Sequence, residues 1–391
     1  MKVDKSKWVE LTFSQIATSQ LGKTLDANKN KGLPYPYLCA ANVGMGFFNL
    51  SNIKEILLED SELEKYIVRK GDLLICEGGD TGRCAIWESE EPIYYQNALH
   101  RVRFNDDIYN KFIMYYLHYY KKVGIIDKLS HGQTIKHFTQ KGLSKLSFRM
   151  PSISEQKVIA SELDVLQTMI DGYKAQLIDL DELIKSIFNN TFGEPLSNPK
   201  GWDIDSLENI VSEDCPITYG IVQPGDDMSD GIPVVRPVDL IGTYVNKALL
   251  KKVAHEISDS YKRTILKGNE ILMCVRGTTG VVSFATEDMK DCNVTRGIVP
   301  LSFNRHNRWF MYWCIKSFEM NNLIQKYTKG ATLKQINIKD LRQLPFPTPP
   351  LELQEQFGKQ AELVETQRAL LNLQIADAEQ LMAERMQYYF S

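Results

Sequence analysis

Residues 17–24 read Ala-Thr-Ser-Gln-Leu-Gly-Lys-Thr and end in Gly22-Lys23-Thr24. A phosphate-binding loop uses such groups: glycine amides wrap the phosphates, the lysine reaches them and the hydroxyl holds the magnesium. Its first glycine is normally required, and position 17 is alanine. Such a loop must also leave a buried strand and open a helix. "VGMGFFN" supplies Gly44-x-Gly46, but position 49 is asparagine and no βαβ unit follows, so a turn is expected there. The [DN]PP[YF] loop that holds a target amino nitrogen is missing, Pro349-Pro350 falling within "TPPL". There is no GxSxG, and no carboxylate-lysine cluster resembles a nuclease site. Seven cysteines without a CxxC pair and six histidines without an HExxH pattern argue against a zinc site or a disulfide framework, and fit a reducing cytosol. The first ten residues, "MKVDKSKWVE", have no apolar signal core, and no stretch is apolar enough to span a bilayer, so no membrane partner is expected.

A second kind of chemistry recurs. "EGGDTGR" (77–83) and "VRGTTG" (275–280) each follow a predicted strand. "HGQTIKH" brings Gln133, Thr134, Lys136 and His137, and "KGATLKQ" brings Lys329, Thr332, Lys334 and Gln335. Glycine lets a backbone approach a phosphate closely, and threonine, lysine and arginine donate to it. Arginine, lysine, asparagine and glutamine also read base edges in the major groove. One such loop alone reads as a glycine turn with solvated polar residues; recurrence in both halves is what favours a ligand.

The elements that must carry these loops are written twice. "WVELTFSQI" from Trp8 parallels "WDIDSLENI" from Trp202, "PYLCAANV" from Pro36 parallels "PVVRPVDL" from Pro233, and "KGDLLICEGGDTG" parallels "KGNEILMCVRGTTG". From Cys76 and Cys274 onward the copies keep one offset, 198 residues, through "LSFRMPSISEQKVI" and "LPFPTPPLELQEQF". Each copy begins with a mixed part of about 150 residues, holding β-branched runs such as "GDLLIC", "EILMCV" and "GIVPLSF" and an amphipathic helix around "IYNKFIMYYLHYY". After a proline-containing break comes a long helix. Its apolar residues alternate in spacing of four and three: Ile159, Leu163, Leu166, Ile170, Tyr173, Leu177, Leu180, Ile184, Ile187. That is a heptad seam. The second copy gives Phe357, Ala361, Val364, Arg368, Leu371, Ile375, Ala378, Met382 and Arg385, a poorer seam with small residues. An antiparallel intramolecular coiled coil of about 36 residues a strand, roughly 54 Å, is expected; the alternative is two surface helices, each resting on its own domain, which would carry a wider apolar stripe.

Charge follows this division. Residues 151–190 hold 3 basic and 7 acidic side chains, as do residues 351–391, so the net −3 resolves into −8 on the helices and +5 elsewhere. The globular parts are mildly basic, which permits contact with nucleic acid without demanding it.

This order of features resembles the specificity subunit of type I restriction-modification systems. The marks are the Trp-led segments at Trp8 and Trp202, "YLCAANV" (37–43), "KGDLLI" (70–75) and the helix entries "PSISEQKVI" and "PPLELQEQF". The resemblance spans the whole chain. It departs at Ser152, where a second proline is usual, and at "VVRPVDL", which replaces "YLCAANV". The resemblance implies an α+β chain: two duplicated mixed α/β target-recognition domains (1–150, 193–350) joined by two long helices (151–192, 351–391) that form the antiparallel coiled coil. It implies recognition of a bipartite double-stranded DNA target without catalysis, in a prokaryotic cytoplasm. The coiled coil would fix the spacer and dock two methyltransferase subunits, with an endonuclease and translocase subunit joining. S-adenosylmethionine, and ATP with magnesium, would belong to those partners and not to this chain. Candidate DNA contacts are Asn42, Thr81, Arg83, Gln96, Asn97, His100, Arg101, Thr134, Lys136 and His137 in the first half, and Arg236, Asp239, Arg276, Thr278, Thr279, Arg296, Thr332, Lys334 and Gln335 in the second. Phosphate contacts are expected in the shared Gly-Thr-Lys loops and base contacts where the halves differ. A P-loop ATPase and a duplicated coiled-coil adaptor are the competing readings.

Overall fold

The computed structural model describes residues 3–26, 30–132, 136–330 and 333–391. Thr134 and Thr332 lie outside the described residues. The chain forms two compact units, Met1–Lys174 with Leu373–Ser391, and Ala175–Asn372. The unit boundaries fall inside both long helices, so each unit takes one globular part and half of each helix, whereas the sequence divides the chain at the helix ends.

In the first unit, β1 (Val9–Thr12) pairs with the last strand of its globular part, β10 (Ser147–Met150). A four-stranded antiparallel sheet runs β2 (Ala17–Leu21), β9 (Leu99–Phe104), β6 (Leu73–Cys76), β7 (Cys84–Ile86). A second sheet runs β4 (Lys54–Leu58), β3 (Leu33–Leu38), β8 (Ile93–Tyr95), β5 (Ile67–Val68), with β3 and β8 parallel. The run "LLIC" is buried throughout because β6 is covered on both faces: Leu73 and Ile75 enter one apolar core, Leu74 and Cys76 another. A strand with two buried faces reads as a continuous apolar run instead of alternating. Helix α1 (Asn110–Lys122) closes the first core with Phe112, Ile113, Tyr116 and Leu117.

The second unit repeats this plan. β11 (Ile204–Ser206) pairs with β18 (Pro345–Pro347). β12 (Ile232–Val235) lies between β13 (Lys251–Val253) and a parallel β16 (Asn293–Val294). β14 (Ile271–Cys274) lies between β15 (Val282–Phe284) and β17 (Ile298–Leu301), again with alternate residues in two cores. No strand among the described residues corresponds to β2. The equivalent segment, 211–220, contains Pro216, which has no N–H to give to a ladder. The two long helices are α2 (Ile153–Phe192) and α5 (Leu351–Phe390), and between them in the chain come the shorter α3 (Arg308–Lys316) and α4 (Phe318–Tyr327).

Both long helices have 40 residues, and both their ends differ by the same 198 positions. Ser152 explains the missing second proline: its amide and hydroxyl donate to Glu155 Oε2 at 3.3 and 2.9 Å while its oxygen accepts from the Glu155 amide at 3.4 Å, a capping box that starts α2. Gly193 stops it, in the left-handed conformation with φ 77°. The helices pair antiparallel within each unit, because partner numbers fall as positions rise: Glu162 with Arg385 and Lys174 with Glu379 in the first, Asp181 with Arg368 and Phe188 with Phe357 in the second. Of the expected seam, Ile159, Leu163, Leu166, Ile170, Ile184, Phe357, Ala361, Val364, Leu371, Ala378 and Met382 are buried. Tyr173, Leu177, Leu180, Ile187 and Ile375 are half-buried. Aromatic residues beyond the expected seam, Phe188, Phe192, Tyr389 and Phe390, carry it into the two cores. The two arginines at seam positions meet carboxylates: Arg368 pairs with Asp181 and Glu365, and Arg385 with Glu162, which also accepts from the Tyr389 hydroxyl at 2.7 Å. No described helix is long and apolar enough to cross a membrane.

Candidate nucleic-acid interface

Four chain segments meet at one edge of each globular part. In the first unit the Asn97 amide donates to the Lys23 carbonyl at 3.0 Å, and the Glu77 amide to the Ala98 carbonyl at 2.9 Å. The Phe138 amide donates to the Glu77 carbonyl at 2.7 Å, and His131 and His137 exchange backbone hydrogen bonds at 2.9 and 2.8 Å. The second unit builds the same junction. The Arg296 amide donates to Ile221 at 2.7 Å, Val275 to Gly297 at 2.8 Å, Ile336 to Val275 at 3.0 Å, and Lys329 and Gln335 exchange two bonds of 2.8 Å. The loop after β6 turns through Gly79 and Gly82 at φ 73° and 80°, and that after β14 through Gly277 and Gly280 at φ 90° and 89°. These are left-handed positions that glycine takes without a Cβ penalty, so the repeated "GGDTG" and "RGTTG" spacing fixes one loop shape.

The phosphate-loop reading of residues 17–24 fails here. Residues 17–21 are strand β2, and among the described residues the next element after Thr24 is the strand β3 at Leu33, not a helix. Gly22 is required for packing, since a Cβ there would sit 2.3 Å from the Tyr95 carbonyl oxygen. Gly220 meets the Val294 carbonyl oxygen at 2.1 Å in the same way, so the glycine does recur in the second half, although the lysine does not. The Lys23 ammonium is held by the Glu62 carboxylate, both largely covered. It is not available to a DNA phosphate. Gly44 to Phe47 form the expected turn, with the Gly44 amide donating to the Phe47 carbonyl at 2.8 Å.

The structure sorts the expected contact residues into two groups. Several are consumed by the fold and face no ligand. Asn42 is buried; its oxygen caps the Cys39 amide at 2.8 Å and its nitrogen donates to the Asn49 carbonyl at 2.9 Å. Asp239 occupies the equivalent turn and binds the Arg236 guanidinium at 2.7 Å, so neither of that pair is free. Thr81 and Thr279 are buried, their hydroxyls meeting Ser130 at 3.2 Å and Thr328 at 2.9 Å, which fastens each loop to the end of a helix. Arg83 donates to the Ala40 carbonyl at 3.0 Å. His100 is fully buried on β9, its Nε2 at 2.9 Å from the Phe138 carbonyl, and burial pushes its pKa down. Arg101, beside it, donates to Gln20 Oε1 at 2.9 Å and lies over the Tyr95 ring.

The remaining residues all lie on the four converging segments. Lys136, His137, Thr278 and Lys334 are exposed, and Gln96, Asn97, Arg276, Arg296 and Gln335 are half-buried, Gln335 with its Nε2 donating to the Tyr219 hydroxyl at 3.2 Å. Burial raises the Glu77 carboxyl and His137 opposes that shift. Each edge thus offers a lysine, glycine loops and planar or forked donors, which is a set suited to phosphates and base edges. Among the described residues no group of three or more His, Cys, Asp or Glu side chains is arranged to hold a metal ion.

Two buried glutamines escaped the sequence reading. Gln156 accepts from the Tyr109 amide at 2.8 Å and donates to the Pro151 carbonyl at 3.0 Å. Gln354 accepts from the Asn307 amide at 3.0 Å and donates to the Pro349 carbonyl at 2.7 Å. Each ties the start of a long helix to the start of α1 or α3. The signal was the repeated glutamine in "PSISEQ" and "PPLELQ", 198 residues apart.

The family model described as the type I restriction modification DNA specificity domain matches residues 5–180 and again residues 212–378. The chain belongs to this family. Its role is therefore DNA recognition within a type I restriction-modification system. It is 27% identical over 325 residues to the type I restriction enzyme EcoBI specificity subunit of Escherichia coli, across 76% of this chain and 68% of that one. It is 24% identical over 375 residues to a putative type I restriction enzyme MjaX specificity subunit of Methanocaldococcus jannaschii, across 88% and 83%. The fold is shared with the type I restriction-modification S subunit from M. genitalium, at a TM-score of 0.59 and 15% identity over 100% of this chain and 98% of the other. A chain from a structure on complex assembly and conformational transition of the type I R-M system gives a TM-score of 0.60 at 16% identity, over 98% and 97%.

Proposed function

We propose that this specificity subunit reads a bipartite DNA target, one part with each unit, and that it carries no catalysis of its own. The observation that carries this reading is the duplicated four-segment junction: one backbone arrangement built twice, with different side chains at equivalent positions. Identical backbone with shared lysines suits phosphates, which carry no sequence information, and differing side chains suit two different base sequences. The antiparallel long helices set the spacer between the parts and seat two copies of a methyltransferase subunit. In support, each unit presents a groove between its globular part and a long helix, 660 Å³ beside Met114, Tyr115 and Asp164 in the first and 440 Å³ beside Tyr312, Trp313 and Glu365 in the second. Two like seats in one chain suit two like partners. S-adenosylmethionine enters with the methyltransferase subunits, which flip an adenine and methylate N6, and ATP with magnesium enters with an endonuclease and translocase subunit. Genomic DNA as ligand puts the site of action in the prokaryotic cytoplasm.

Co-expression with the methyltransferase subunit, followed by mapping of N6-methyladenine across the genome, tests the reading. A single bipartite motif is expected. Exchange of residues 191–350 for those of a relative should change one half of the motif only. A stable complex that leaves DNA unmethylated, or an exchange that alters both halves, overturns it.

A further inference from the structure

The two junctions can be compared position by position, because their backbone pairings correspond. Gly78 pairs with His137 as Arg276 pairs with Gln335, and Lys23 bridges Gln96 as Ile221 bridges Thr295. Arg276 therefore stands where the first unit has Gly78, and Tyr219, next to the close-packed Gly220, where it has Leu21; Arg296 stands where it has Asn97, because the strand pairings shift the 198-residue offset by one at this segment, Leu99 facing Cys76 as Ile298 faces Cys274. The two arginines are neighbours: the Val275 amide binds the Gly297 carbonyl at 2.8 Å, and a Cβ on Gly297 would lie 3.7 Å from Arg276 Cβ.

Their state is unlike that of the other arginines near these edges. Arg83, Arg101, Arg103 and Arg236 are each bound by carbonyls, a carboxylate or an amide of the fold. Among the described residues neither Arg276 nor Arg296 meets a hydrogen-bond acceptor or a carboxylate. Arg276 Nε is buried without a partner, and the Arg296 guanidinium rests over the Tyr219 ring at 5.9 Å. Tyr219 is itself held by Gln335, whose Nε2 donates to its hydroxyl at 3.2 Å. The buried Arg276 Nε without a partner is costly in the free chain, and an acceptor supplied from outside would relieve it.

We infer that Arg276 and Arg296 are specificity-determining residues that each read a guanine in the half-target bound by the second unit. This rests on the DNA-recognition reading and deepens it. The arginine fork matches the two acceptors, N7 and O6, that guanine presents in the major groove. A phosphate also fits the fork, but phosphate contacts belong where the two units agree, as Lys136 and Lys334 do. The arginines occur in one unit only, which is the pattern of a base contact. The first unit, with glycine and asparagine at these places, makes no such demand on its own half.

The test uses the full chain in complex with the methyltransferase subunit, with selection of bound sites from randomised DNA alongside methylation mapping. The unaltered complex should select guanine at fixed positions in one half. R276A and R296A remove the fork and every donor that could reach guanine N7 and O6. Each should lower the preference for guanine at one position of that half by roughly 5- to 150-fold, with the other half and the salt dependence of binding unchanged. Alanine variants that keep the base preference, or that weaken all sequences alike with a salt slope lower by about 1, would make these phosphate contacts and overturn the inference while leaving the DNA-recognition reading in place. An unaltered complex that selects no sequence would remove that reading, and the inference with it.

Discussion

Replacing Gln156 by methionine tests how the recognition domain is fixed to its long helix. Gln156 is 2% exposed, and methionine keeps its length and volume while removing the amide. The change deprives the Tyr109 amide of its acceptor at 2.8 Å, and the Pro151 and Asp107 carbonyls of a donor at 3.0 and 3.3 Å. A covered donor left without a partner costs about 1–3 kcal/mol, and each lost hydrogen bond contributes about 1 kcal/mol net. Because Asp107 is exposed and water can replace the donor to its carbonyl, the expected loss is about 3 kcal/mol. In a unit of this size that is a fall in Tm of roughly 6–12 °C. Urea and thermal unfolding followed by tryptophan fluorescence would measure it, Trp8 and Trp87 reporting the first unit and Trp202, Trp309 and Trp313 the second. Gln354→Met should produce a similar loss in the second unit, where the Asn307 amide and Pro349 carbonyl take the same roles. A loss below about 0.5 kcal/mol in either variant, the level of an ordinary surface substitution, would refute the claim that these glutamines lock helix to domain.

Four further outcomes are expected. Gly22→Ala should cost about 3 kcal/mol, the upper end for overpacking, because the atoms it would strike at 2.3–2.5 Å are backbone; an unfolding curve matching the parent would contradict the close approach. The isolated chain should bind no ATP by calorimetry with or without Lys23→Ala, which should reduce stability by about 1 kcal/mol through loss of the Glu62 pair; saturable ATP binding abolished by that variant would revive the nucleotide-loop reading. Burial pushes the Glu162 carboxyl up, but hydrogen bonds from Arg385 and Tyr389 outweigh it and hold it below the usual range. Its contribution is therefore complete above the unfolded value of about 4.3 and lost as pH falls through the lower folded value, so Glu162→Gln should show a shallower loss of stability between pH 5 and 3, roughly the window of that titration, and equal slopes would refute the link. Lys136→Ala and Lys334→Ala should each weaken DNA binding across all sequences and reduce the salt slope by about 1, whereas a change in base preference would make them readers.

The duplication was legible because it is linear information. An offset of 198 predicts that helices starting at Ile153 and Leu351 share a length, and both run 40 residues. The heptad seam was legible because a 3.5-residue period leaves one face to bury: eleven of its sixteen apolar residues are buried and the other five half-buried. The paired loops were legible because only glycine takes the left-handed turns they need. Which polar residues serve a ligand was not legible. Asn42, Thr81, Thr279, His100 and Arg101 look like DNA contacts in sequence, yet their partners are Asn49, Ser130, Thr328, the Phe138 carbonyl and Gln20, between 7 and 81 positions away. Nothing in a local pattern reports a neighbour brought in by folding. The same holds for Gly22-Lys23-Thr24: its spacing suits a phosphate, but the Tyr95 carbonyl demands the glycine and Glu62 takes the lysine. Sequence thus determined the repeat, the periodicity and the turn chemistry, which depend on neighbours along the chain. Tertiary structure alone decided which donors the fold consumes and which, Arg276 and Arg296 among them, it leaves without a partner among the described residues.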